Sequence, residues 1–371
     1  MLLAGTAMNA TYHVARAGDD SGPGTVSQPL RTIQAGVDKL TPGDSCVVHQ
    51  GIYREQVTFT RDGARNEPLT LCAAPGEHVM VSAADTVSNW VAHEGAIYKA
   101  PIGWELPPGE NQLYIDGKWY PEARFPNINA WNALRCDIRA QGCADVEHLG
   151  ISYPWTDTTS IMRPTLLDGF MTNIRQGDSW HRGYPSTPGR CEMALYNVPT
   201  AYNPLSGKPD DYWKGIVLWM QGWWWSASGV VDESWDNESE TLTHFVVLTD
   251  RMRWSGPHSA NALIGHYDFI DVPGEWTVDD DYVYLYPPRN VDLSEVTVSV
   301  KRRYMTFDLR DRSFIHIDGF YSLGGSANLD STRYSRIDNC HFRYVCHYWA
   351  HEWDSGGAIF GKERHQVAGK R

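Results

Sequence analysis

Between Tyr12 and Val57 the chain reads YHVARAGDDSGPGTVSQPLRTIQAGVDKLTPGDSCVVHQGIYREQV. The stretch predicts a strand, a Gly/Pro loop, a short helix, a Pro-Gly turn and a second strand, in that order. Gly18 to Gly24 is dense in residues that take a positive φ or a fixed turn angle. Thr32 then stands before Ile33, Val37 and Leu40, three apolar residues near one helical face. Thr41-Pro-Gly-Asp44 stops that helix, and Cys46-Val-Val-His49 is a short strand closed by Gly51.

This order, followed by Gly51-x-Tyr53-Arg-Glu55, resembles the capping segment that opens right-handed parallel β-helix proteins of the pectate-lyase-like class. The resemblance implies an all-β solenoid whose N-terminal helix covers the open end of the stacked coils, an edge that would otherwise invite another chain.

Size and charge narrow the classes. At 371 residues the chain exceeds what one compact core usually fills, so two units or one elongated solenoid are expected. Its abundance of Gly, Pro, Trp and Tyr suits a loop-rich, strand-based enzyme. No run approaches the roughly 20 apolar residues of a membrane helix, and a formal charge of −13 carries no cationic stripe for a polyanion. Neither nucleic acid nor membrane is an expected partner; a neutral or weakly charged polysaccharide or oligosaccharide is. Seven cysteines leave at least one unpaired; Cys136 and Cys143 share one loop-like stretch, and zinc-ribbon spacing is absent. Residues 1–11 have an apolar start and the small-x-small Gly5-Thr-Ala7 without a positive n-region. They read as the remnant of an export leader, so a secreted or periplasmic location is expected.

Short β runs at Gln56 to Thr60, Leu69 to Ala73 and Val79 to Ala83 read as first coils, so residues 12–84 are assigned to the cap and early solenoid. The rhythm breaks near Asp85. Residues 85–300 are longer-phrased and aromatic, and read as an inserted β-rich domain. Two phrases stand out there. In Gln112 to Asn127, Asp116-Gly117 supplies a hairpin turn before Ala123-Arg-Phe-Pro126. In Asp271 to Pro288, Tyr282, Tyr284 and Tyr286 alternate with Val283 and Leu285. Together they resemble the β domain inserted in β-helix glycoside hydrolases, the group with certain β-xylosidases and rhamnogalacturonan-active enzymes.

Coils resume over 301–371. Phe314-Ile-His-Ile-Asp-Gly-Phe320 lays over Tyr334-Ser-Arg-Ile-Asp-Asn-Cys-His-Phe342 so that Ile317 meets Ile337 and Asp318 meets Asp338. Ala358-Ile-Phe360 reads as the start of another coil. With no amphipathic cap before Arg371, the sequence predicts an apolar coil edge after Ile359 and a chain shorter than the enzymes it resembles.

Glycoside hydrolysis needs two carboxyl groups, about 5 Å apart for retention and about 6.5–9.5 Å apart for inversion. Asp318 and Asp338, on coils about 4.8 Å apart, suit retention on paper; Asp-Gly and Asp-Asn are also what coil-corner turns use, with the Asx side chain bonding local backbone. A denser cluster follows: His341, Arg343, His347, Trp349, His351, Glu352, Trp353, Asp354 and Ser355-Gly-Gly357. Carboxylates, imidazoles and indoles in a loop leaving a rigid coil are the ingredients of a sugar site, although a solvated loop fits the same residues. Glu352 and Asp354 are the acid/base candidates, with Asp338 as a second carboxylate. His351, Trp349, Trp353 and Arg343 are the substrate-binding candidates. The Trp-rich insert, with Trp213, Trp219, Trp223-Trp225, Trp235 and Trp254, is open to core packing or a glycan platform.

His347-x-x-x-His351 lacks the HExxH glutamate, and Asp279-Asp-Asp281 reads as a hairpin tip, not a calcium loop. No metal or cofactor is expected. Three functions follow: a glycoside hydrolase on a plant or algal polysaccharide, a polysaccharide lyase using Lys362 or Arg364 on a uronate, or a non-catalytic carbohydrate-binding solenoid.

Overall fold

The computed structural model describes residues 9–104, 106, 110–125, 207–209, 212–221 and 261–345. It also describes short strands at 174–176, 179–181, 189–194, 226–230, 235–236, 241–246, 353–354 and 357–358. The class is all-β, with one α-helix of seven residues among the described segments. None of the helices there is long and apolar enough to cross a membrane. The chain divides into two compact units: Met1–Asp85 with Lys301–Cys346 and Lys362–Arg371, and Thr86–Val300 with His347–Gly361.

The helix of the first unit, Ile33–Lys39, starts where the sequence places it. The Thr32 side chain accepts from Ala35 N–H, which satisfies one donor of the first turn, and the helix stops where the backbone extends at Leu40. Asp20 accepts from the N–H groups of Arg31 and Thr32, while Glu55 accepts from those of Ile33 and Gln34. Ile33, Gly36 and Val37 form the buried face. Gly36 permits close approach: a Cβ there would lie 2.5 Å from Cys46 Sγ.

Three parallel sheets follow, each with successive strands one above the other. The first runs Thr11–Val14, Ser45–Val48, Leu69–Ala73, Ile315–Asp318, Arg336–Asp338. The second runs Gly51–Tyr53, Val79–Ser82, Tyr321–Leu323, His341–Arg343, and the third Val57–Thr58, Met305–Asp308, Ser326–Asn328. The chain visits the sheets in this order and then repeats, and its turn from the second to the third is interrupted after Ser82 until Met305. Later turns repeat every 20 residues, as in the bonds from Ile315 N–H to Ser335 Oγ and from Phe320 N–H to Cys340 Sγ. Their corners repeat too: Phe314 and Tyr334 both take positive φ, as do Gly319 and Asn339.

Alternation along the first sheet sets inside against outside. Cys46, Leu71 and Ile317 are fully buried in register, and Ile337 packs against the same cluster with Val48, Phe307 and Phe320. His316, Asp318, Arg336 and Asp338 occupy the intervening, less buried positions.

The second unit is antiparallel. Asp116 and Gly117, both at positive φ, turn Leu113–Ile115 into Lys118–Tyr120, and Asp280–Asp281 turn Trp276–Asp279 into Tyr282–Leu285. Two residues at positive φ are what a tight hairpin requires. Ile97–Pro101 and Val91–Glu94 extend the latter sheet. The two phrases singled out in the sequence meet: Trp276 Nε1–H donates to the Tyr120 carbonyl at 2.9 Å, and Ala123 N–H to the Trp276 carbonyl at 2.7 Å. Glu275 is buried beside them; desolvation pushes its carboxyl well up although the N–H groups of Asp271 and Val272 bond to it.

Near the end of the chain Gly357–Ala358 pairs antiparallel with Trp353–Asp354; Ile359 and Phe360, the rest of the expected coil start, lie outside the described residues.

Candidate functional site

The outer face of the first sheet gathers polar groups from two successive turns. Asp318 lies in register between Cys72 and Asp338, and His316 between Thr70 and Arg336. Parallel neighbours are about 4.8 Å apart, so the two aspartates rise from backbone positions at that spacing. Asn339 Nδ2 donates to Asp318 Oδ1 at 2.7 Å. Arg336 Nε meets Asp338 Oδ2 at 2.8 Å, with both side chains substantially exposed. Both carboxylates thus bond side chains of the later turn, whereas Asp292 closes on its own loop, its Oδ1 accepting from Ser294 N–H and O–H.

His316, two residues before Asp318 on the same strand, has its pKa lowered, first by burial and then by the Arg336 charge, against an opposing pull from Asp338. A neutral imidazole can donate from one nitrogen and accept at the other. Burial lifts the Cys340 thiol to about 11 and raises that of Cys72, so both side chains are protonated spectators at neutral pH.

The second sheet presents rings. His78 stacks on Tyr321 at 4.2 Å, and Tyr321 on His341 at 5.7 Å. Arg343, exposed at the end of the last of these strands, lies 5.1 Å over the Tyr344 ring and donates to its hydroxyl at 3.1 Å.

A third group joins three segments of the first unit. Glu77 Oε1 is 3.1 Å from His49 Nδ1, and His49 Nε2 is 3.1 Å from His13 Nδ1. The N–H of Gln50 donates to the other Glu77 oxygen. An ionised Glu77 accepts from His49 Nδ1–H, which leaves His49 Nε2 to accept from His13.

Of the site residues expected from sequence, Asp338 and Arg343 are placed on consecutive strands of one turn. Trp353 and Asp354 are placed as a strand. Glu352, His351, Trp349 and His347 lie outside the described residues, as do Cys136, Cys143, Ile359, Lys362 and Arg364. Among the described residues no group of three or more His, Cys, Asp or Glu is arranged to hold a metal ion. Sequence reasoning passed over His316, Arg336 and Asn339, although the same repeat that aligned the aspartates carries them. It also missed the Glu77–His49–His13 chain, for which no local pattern exists.

No protein-family model matches the chain. A curated relative, Pectate lyase PEL9 of Emericella nidulans, is 32% identical over 74 residues, which span 19% of this chain and 18% of that protein. A solved structure described as "Glycoside hydrolase" is 16% identical, with a TM-score of 0.55 over 84% of this chain and 50% of that one. A second, "The complex structure of XylC with xylose", is 15% identical at a TM-score of 0.40, covering 88% and 36% of the respective chains. The likeness to the first of these is one of fold. The chain spans about half of that structure and under a fifth of the curated relative.

Proposed function

We propose that this chain belongs to a carbohydrate-active enzyme, a glycoside hydrolase in which residues 12–84 and 301–371 are coils of one right-handed parallel β-helix and 85–300 an inserted β-rich domain. The strand order, with three parallel sheets visited in turn, supports the solenoid. The names of the pectate lyase relative and of the fold neighbour support a glycan as substrate.

The observation that carries the reading is the register of Asp318 with Asp338. Their backbone positions lie one parallel-strand spacing apart, about 4.8 Å, from which the two side chains can reach the separation of about 5–5.5 Å used by retaining enzymes. Here one carboxylate attacks the anomeric carbon while a protonated partner delivers its proton to the leaving oxygen. Asp338 is the fixed carboxylate of this reading. Its partner is Asp318 or, from the following segment, Glu352 or Asp354. His316, Arg336 and Arg343 offer hydrogen bonds to sugar hydroxyls, with Trp349, Trp353 and His351 completing the binding groups.

The test is turnover of neutral and uronate-containing polysaccharides by the parent and by Asp318→Asn, Asp338→Asn, Glu352→Gln and Asp354→Asn. Asp338→Asn together with one of the others is expected to lower turnover by about two orders of magnitude or more with the fold intact. Unsaturated uronate products, seen by their absorbance, would replace hydrolysis with elimination, and full activity in all four variants would move the site elsewhere.

A further inference from the structure

The second unit carries a cleft of about 790 Å³ lined by Trp90, Tyr98, Pro287, Asp292, Ser294 and Thr297, among others. We propose that this cleft is a binding site for a neutral saccharide, separate from the carboxylates of the first unit.

Its size falls in the range of small-ligand sites, and its wall has the mixed character such sites show. Tyr98 is 37% exposed, on the strand Ile97–Pro101. It supplies an aromatic surface beside Trp90, and flat rings match the C–H face of a sugar. Trp90 lines the cleft with its ring, while its indole N–H is buried away from solvent without an acceptor among the described residues. Ser88, Asn89, Ser294 and Thr297 add short hydroxyl and amide groups. Asp292 uses Oδ1 to accept from Ser294 N–H at 2.8 Å and Ser294 Oγ–H at 2.7 Å, so Oδ2 faces no competing donor from that turn.

Charge selects the ligand class. Among the described residues that line the cleft there is no Lys, Arg or His, and Asp292 is the one charged member. A uronate or sulfated sugar would meet a carboxylate with no cation to offset it, whereas a neutral ring offers hydroxyls that Asp292 can accept from. The cleft therefore takes xylose-, glucose-, mannose- or galactose-type units and rejects acidic ones.

Calorimetry on the whole chain tests this with xylotriose, cellotriose, mannotriose, galactotriose and trigalacturonate as probes. At least one neutral trisaccharide is expected to bind, and trigalacturonate not to. Tyr98→Ala should weaken that binding about ten-fold, the loss of one stacking wall. Ser294→Trp, at an exposed loop position that fills the cleft without opening the core, should abolish it with the melting temperature held within roughly 2 °C. Asp338→Asn should leave it unchanged, which separates this site from the proposed catalytic face. Failure of all four neutral probes at millimolar concentration, equal binding of trigalacturonate, or binding that survives Ser294→Trp would overturn the proposal.

Discussion

Replacing Glu55 distinguishes a cap held by charge from one held by hydrogen bonding. Glu55 lies in the segment after Gly51–Tyr53, yet its two oxygens accept from Ile33 N–H at 3.0 Å and Gln34 N–H at 2.9 Å. These are two of the four orphan donors at a helix N-terminus. Bonds to a charged acceptor contribute about 1.5–3 kcal/mol each. Desolvation works against the ionised form, and it outweighs the two backbone bonds so that the carboxyl pKa is raised above its ordinary 4.5. The lower end of the range therefore applies, about 3 kcal/mol for Glu55→Ala. In Glu55→Gln the amide oxygen still accepts and no charge is desolvated, so about 1 kcal/mol is expected. Because the folded state holds the Glu55 proton more tightly than the unfolded chain does, the stability it lends is greatest below pH 4.5 and declines as pH rises through the folded pKa. Glu55→Gln should erase that dependence. Hydrogen exchange of the Ile33–Lys39 amides reads the effect locally. Glu55→Ala should lower their protection by about two orders of magnitude, since 1.4 kcal/mol is ten-fold, and Glu55→Gln by several-fold. Equal damage from both substitutions would refute the reasoning, as would a neutral Glu55→Ala.

Other perturbations have definite signs. Gly36→Ala places a methyl 2.5 Å from Cys46 Sγ and 2.9 Å from Val14 Cγ2, and urea denaturation should show a loss of about 1–3 kcal/mol from overpacking. Asp85 bonds Arg302 at 2.8 Å and Arg303 at 2.6 and 3.1 Å. Burial alone would raise its pKa, but the bonds from Arg303 and then Arg302 reverse this and hold it below 3.8. Its contribution is present above that pH and lost as pH falls through the lowered pKa. Asp85→Asn should cost about 2 kcal/mol in denaturation at pH 7, with a smaller difference at strongly acid pH. His13 has its pKa depressed by burial and then by His49, so stability tied to it is present above pH 6.5 and declines below. His13→Gln should flatten the acid loss of exchange protection in Thr11–Val14, and an unchanged pH profile would dismiss the imidazole pair as its source.

Local chemistry explains what is legible in the sequence. Thr32 caps because its short hydroxyl reaches Ala35 N–H, and Asp116-Gly117 and Asp280-Asp281 turn because their residue types tolerate positive φ. Leu69–Ala73 is readable from its β-forming apolar run. The register of Asp318 with Asp338 is legible because the repeat compares one coil with its own copy. The pairing of Trp353–Asp354 with Gly357–Ala358 is not, since only the partner strand decides it.

Sequence by itself therefore determined the β class, the capping helix, the hairpin turns and the register of the repeated strands, all of which depend on residues within a few positions or on a fixed repeat. Tertiary structure alone decided which distant segments meet. It set Cys72 beside Asp318, Asp85 against Arg302 and Arg303, and Tyr120 under Trp276, and it joined Glu77, His49 and His13. Those contacts close long stretches of chain, and the free energy that selects them comes from burying whole faces together. No single residue carries that term, so no local pattern announces it.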